Sequence, residues 1–105
     1  MGRRISNEWA KEYIAALRRG ENVKFRPVGG SMSPIIESGQ LVEVAPTANR
    51  KLKVGSVVLV QVRDFTYFHL IKAIEDDRRY LIGNNRGGTN GWVERSAIYG
   101  VLQPG

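Results

Sequence analysis

From Val23 onward, apolar and polar residues alternate in short runs separated by glycine, proline and charged clusters. That period of two predicts strands and tight turns rather than helices. VKFRPV (23–28) and QLVEVAP (40–46) alternate as half-buried strands do, with Leu41 offset from Val42 and Val44. SVVLVQV (56–62) is β-branched and nearly continuous, which predicts a central strand covered on both faces. TYFHLIKAI (66–74) and RRYLIG (78–83) follow, with DDRR as the hairpin turn between them. NNRGGTNG (84–91) reads as a loop, because glycine and asparagine tolerate left-handed backbone. WVERSAIYGVL (92–102) closes the pattern as one or two short strands.

The N-terminal segment has a different period. Trp9, Tyr13, Ala16 and Leu17 fall at helical spacing and form one apolar stripe. Ser6 or Asn7 can cap this helix, Glu8 suits its positive end, Arg18 and Arg19 its negative end, and Gly20 its stop. The expected organisation is a helix within residues 1–22 packed on a β domain of residues 23–105, a mostly β chain with one N-terminal α-helix.

Composition narrows the chemistry. The chain has 105 residues, no cysteine and one histidine, which excludes disulfides, a thiolate nucleophile and the usual multi-ligand zinc site. No metal and no cofactor are expected. No run of roughly 18 apolar residues is present, so no membrane span is expected. MGRRISNEW lacks the apolar stretch of a secretory leader, and a cytoplasmic location follows as the expectation. The formal charge of +6 sits mainly on the segment through Arg26. Such a charge can assist nucleic-acid binding, but no nucleic-acid-reading motif accompanies it, and a solvated surface is the simpler account.

Few side chains can do covalent work. The loop GGSMSP (29–34) offers the hydroxyls of Ser31 and Ser33, and TYFHLIKAI offers two bases, His69 and Lys72. In a regular strand His69 shares a face with Ile71, while Phe68, Leu70 and Lys72 share the other. The two bases therefore serve one site only if a bulge intervenes. Taken alone, GGSMSP is compatible with an ordinary turn as well as with a presented nucleophile.

The order of segments adds a resemblance. GGSMSP, LKVGSVVLV and the spacing to FHLIKAI, followed by Gly-x-Asn and Ile-x-Gly-Val, resemble the LexA-like and signal-peptidase superfamily of serine peptidases over roughly residues 23–102. The resemblance implies a fold of coiled antiparallel β-sheets and a Ser-His dyad. Ser31 would be the nucleophile, His69 the base, Met32 part of the pocket wall, and Ser33 a positioning residue. The partner would be a peptide or protein substrate, cleaved in this chain or another. Gly39-Gln40, Gly55-Ser56 and Gly83-Asn84 stand where the family often has Gly-Asp. An amide from Asn84, Asn85 or Asn90 would then orient the imidazole in place of an acid. Glycine at position 29 leaves oxyanion binding to the backbone of the Gly29–Gly30–Met32 loop. A catalytically silent module of the same fold, binding a peptide, a partner protein or, as the weakest option, nucleic acid, is the alternative, and the missing aspartates favour it.

Overall fold

The computed structural model of the chain describes residues 8–30, 32–47 and 50–104. A short 3₁₀ turn, Glu8–Ala10, leads into one α-helix, α1 (Lys11–Arg18). Seven strands follow: β1 (Val23–Phe25), β2 (Val42–Pro46), β3 (Val57–Val62), β4 (Phe65–Glu75), β5 (Arg79–Gly83), β6 (Thr89–Glu94) and β7 (Ile98–Leu102). They form one antiparallel sheet in the order β1-β2-β7-β3-β4-β5-β6. The described residues are thus mostly β with one α-helix, and the sheet is curled. β6 returns to contact β3 although β4 and β5 separate them in the sheet, and a Cβ on Gly91 would stand 3.3 Å from Val62 Cγ1.

β3 is the spine. Val58, Leu59 and Val60 are fully buried, because a helix covers one face and the curled sheet covers the other. Val57 and Leu59 join Leu17, Phe25, Met32, Phe68 and Leu70 in one apolar cluster. Val58, Val60 and Val62 join Ile71, Tyr80, Ile82 and Ile98 in the second. Each fully buried aliphatic side chain of this kind contributes about 1.5–3 kcal/mol. The continuous apolar run of β3 has this two-sided burial as its physical cause.

α1 ends as its sequence dictates. The Gly20 N–H donates to Leu17 O and the Glu21 N–H to Ala16 O, with Gly20 at φ 89, the glycine-closed helix end that satisfies the last carbonyls. Its start differs from a simple capped helix: the first turn is 3₁₀, and Ser6 and Asn7 lie outside the described residues. Leu17 reaches β7 so closely that a Cβ on Gly100 would come within 2.9 Å of Leu17 Cδ1 and 2.5 Å of Val44 Cγ1.

Three expectations change. VKFRPV is a strand only over Val23–Phe25, and the chain then turns into the loop that carries GGSMSP. Thr89–Gly91 belongs to β6 and not to the loop before it, because Thr89 pairs with Gly83 and Gly91 with Ile82, with a register shift between the two pairs at Asn90. β4 contains a register shift between Ile71 and Ala73, so strict alternation fails at Lys72. No helix among the described residues is long and apolar enough to cross a membrane.

Candidate active site

The site forms where the 26–40 loop, β4 and the β5–β6 hairpin meet. The loop is held by its own backbone and side chains. Gly39 N–H donates to Pro27 O at 2.7 Å, Arg26 Nη1 to Gly39 O at 2.8 Å, and Ile36 N–H to Met32 O at 3.0 Å. Met32 and Ile36 are buried and anchor the loop in the first apolar cluster. Ser33 Oγ donates to Glu37 at 3.0 Å, a structural tie within the loop.

Ser31 lies outside the described residues. Its neighbours are fixed from an unexpected direction. Asn85 Nδ2 donates to Ser33 O at 3.0 Å, and Arg86 Nε donates to Gly30 O at 3.0 Å. The two contacts grip the chain on either side of residue 31. The turn that supplies them is itself organised by Asn84, whose Oδ1 accepts from the N–H groups of Arg86 and Gly88 at 2.9 Å each.

Of the three asparagines offered as partners of the histidine, one takes that role. His69 Nδ1 and Asn90 Oδ1 are 2.8 Å apart. An amide oxygen only accepts, so Nδ1 carries the proton and Nε2 presents its lone pair. Asn84 and Asn85 organise and clamp loops instead. The Tyr67 ring stacks on the imidazole with centroids 5.0 Å apart, which fixes the ring plane. Burial pushes the His69 pKa below its ordinary value, and the hydrogen bond that the ring donates to Asn90 only partly offsets that loss of solvation. The ring is therefore neutral at neutral pH, the state a general base requires.

Lys72 is not part of this constellation. Its Nζ donates to Asn84 O at 2.9 Å, so the ammonium braces the 84–88 turn. Gly83 lets that turn close: a Cβ there would stand 2.3 Å from Gly88 O.

The backbone donors near Ser31 also sort themselves. Gly29, at φ 104, gives its N–H to Ser38 Oγ at 3.1 Å, so this amide is committed to the loop and not to an oxyanion. The N–H groups of Gly30 and Met32 carry no hydrogen bond to any described residue and remain the candidates for that task.

A cavity of about 370 Å³ opens between these groups, lined among others by Gly29, Met32, Phe68 and His69. Four consecutive residues of β4, Thr66 to His69, border it, which alternation alone would divide between two faces. The cavity runs along the edge of the strand. That edge is open because β5 pairs with β4 only from Leu70 onward, while β3 holds the opposite side. Among the described residues, no three His, Asp or Glu side chains converge as metal ligands.

No family model, curated protein or solved structure matches this chain.

The sequence contained signals for His69 and Met32 but none that separated Asn90 from Asn84 and Asn85. Arg86 was missed altogether. An arginine in a glycine-rich loop has no signature that tells a clamp on a distant carbonyl from a solvated charge.

Proposed function

We propose that this chain is a serine peptidase of the LexA-like and signal-peptidase kind, hydrolysing a peptide bond with a Ser31-His69 dyad. The observation that carries the reading is the His69–Asn90 hydrogen bond beside a cavity whose lining includes Gly29 and Met32. A neutral imidazole with its Nδ1 proton engaged has Nε2 directed to base work, and the loop bearing Ser31 is gripped on both sides by Asn85 and Arg86.

In this reading Ser31 Oγ attacks the substrate carbonyl carbon while His69 Nε2 takes the hydroxyl proton. The N–H groups of Gly30 and Met32 receive the negative charge that develops on the carbonyl oxygen. The tetrahedral intermediate collapses, the C–N bond breaks, and His69 returns the proton to the leaving amine. Water then attacks the Ser31 ester with His69 again as base, the acyl–Oγ bond breaks, and His69 returns the proton to Ser31 Oγ as the carboxylic acid leaves. The open edge of β4 offers main-chain pairing to an extended substrate.

A second reading keeps the fold and the peptide but removes the chemistry. Asn90 orients the imidazole without a negative charge to stabilise imidazolium, which favours a module that binds peptide and does not cut it. Incubation of wild type, Ser31→Ala and His69→Ala with a peptide library, followed by mass, separates the two. The peptidase reading expects cleavage by wild type only. Cleavage that survives either substitution excludes the dyad, and absence of any cleavage leaves the binding module.

A further inference from the structure

We infer that the cavity beside His69 is a side-chain pocket for a large apolar residue of an extended peptide, of leucine, methionine or phenylalanine size, and that the N-terminal helical segment sets this selectivity. The inference rests on the peptide-directed reading above and names its substrate class.

Size is the first argument. A cavity of about 370 Å³ has the volume of about a dozen liquid waters, so an alanine methyl would leave most of it hydrated. A long or aromatic side chain would displace that water from an apolar wall, which is where burial is favourable.

The wall is the second. Phe25 forms the hub of an aromatic set, with Tyr13 stacked on it at 4.9 Å, Phe68 edge-on at 5.2 Å and Trp9 tilted at 5.8 Å between ring centroids. Trp9 and Tyr13 come from the helical segment, Phe25 from β1 and Phe68 from β4. Met32 completes the lining with a side chain that adapts to irregular shapes. Trp9 remains 43% exposed in this arrangement. Its exposed surface borders the cavity, where an incoming side chain would cover part of it.

The third argument selects a peptide over a free apolar molecule. Val62 and Phe65 close the two-residue β3–β4 turn, so the backbone groups of Phe65, Tyr67 and His69 point to β3. Phe68 then turns its N–H and C=O toward the open edge, alongside the cavity. An extended chain paired there presents every second side chain to the same side, one of them into the aromatic chamber.

Binding tests this apart from cleavage. The protein carries Trp9 and Trp92 only, and Trp92 lies outside the cavity lining, so Trp92→Phe leaves Trp9 as the sole tryptophan. Blocked pentapeptides Gly-Gly-X-Gly-Gly with X as Leu, Phe or Ala are titrated into Ser31→Ala/Trp92→Phe, up to millimolar concentration. The Leu and Phe peptides are expected to bind at least about tenfold more tightly than the Ala peptide, with a change in Trp9 emission. Trp9→Ala, and the milder Trp9→Leu, followed by calorimetry, should reduce that preference to about threefold or less. Equal affinity for the three peptides, no binding of any, or a preference untouched by both Trp9 variants would overturn the pocket. N-acetyl-leucine amide binding as tightly as the Leu pentapeptide would overturn the extended-peptide occupant. Selective binding without cleavage by the Ser31-containing protein would sink the peptidase reading and keep the pocket. Cleavage that favours alanine at the bound position would do the reverse.

Discussion

Asn90 Oδ1 lies 2.8 Å from His69 Nδ1, joining the sixth strand to the fourth across a turn of the curled sheet. The bond fixes the tautomer of the only histidine in the chain without placing a charge beside it. Asn90→Ala should lower kcat/KM by about ten- to a hundredfold, a part of the 10²–10⁴ that general-base catalysis typically supplies. Asn90→Asp should raise the His69 pKa, because a carboxylate favours imidazolium, and should move the acidic limb of the rate profile upward. A pH–rate series on both variants checks this; an unchanged limb in Asn90→Asp would separate Asn90 from the base.

Stability should depend on pH through the same ring. Unfolded His69 takes up its proton near its ordinary pKa of about 6.5, whereas the folded ring does so only at lower pH because burial disfavours its charge. Between those values the unfolded state holds more protons, so stability falls as pH falls through this window and flattens below the folded pKa. Urea unfolding of wild type and His69→Gln at pH 7 and at pH 5 measures it. The variant should lose less stability than wild type between the two.

The clamp on the serine loop should separate activity from stability. Arg86 is exposed and Asn85 half-buried, and each holds one carbonyl beside residue 31. Arg86→Ala with Asn85→Ala is expected to cost up to about a hundredfold in kcat, the scale of misplacing a reacting group by about 1 Å. The midpoint of thermal unfolding should move little. Faster amide exchange at Ser33, whose N–H donates to Gly30 O, in the double variant would locate the loosening in the loop.

Gly100 lies where α1 packs tightly on the sheet. A Cβ there would stand 2.5 Å from Val44 Cγ1, 2.9 Å from Leu17 Cδ1 and 3.1 Å from Ala45 O. Gly100→Ala should therefore destabilise the fold by about 1–3 kcal/mol through overpacking. Adding Leu17→Ala removes one of the three obstructions. The two substitutions should combine to less than the sum of their separate costs, which a double-mutant cycle in urea reads directly.

Local pattern determined most of the elements. The nearly continuous, β-branched run of residues 56–62 requires two-sided cover, and β3 is buried on both faces for that reason. The apolar stripe of the N-terminal segment and Gly20 fix the packed face and the end of α1, since both are properties of consecutive residues. The DDRR turn was equally legible, with Asp76 and Asp77 both in left-handed backbone. His69 stood out as the single histidine of the chain, and Met32 through the resemblance that GGSMSP carries. Tertiary structure decided the rest. Which of three asparagines meets His69 depends on how far the sheet curls, and that curl is set by the packing of β6 on β3 rather than by any short stretch. Lys72 goes to a loop carbonyl because β4 bulges beside it, an irregularity that alternation does not encode. Arg86 finds Gly30 across 56 positions of sequence, and a contact of that range exists only once the whole sheet has closed.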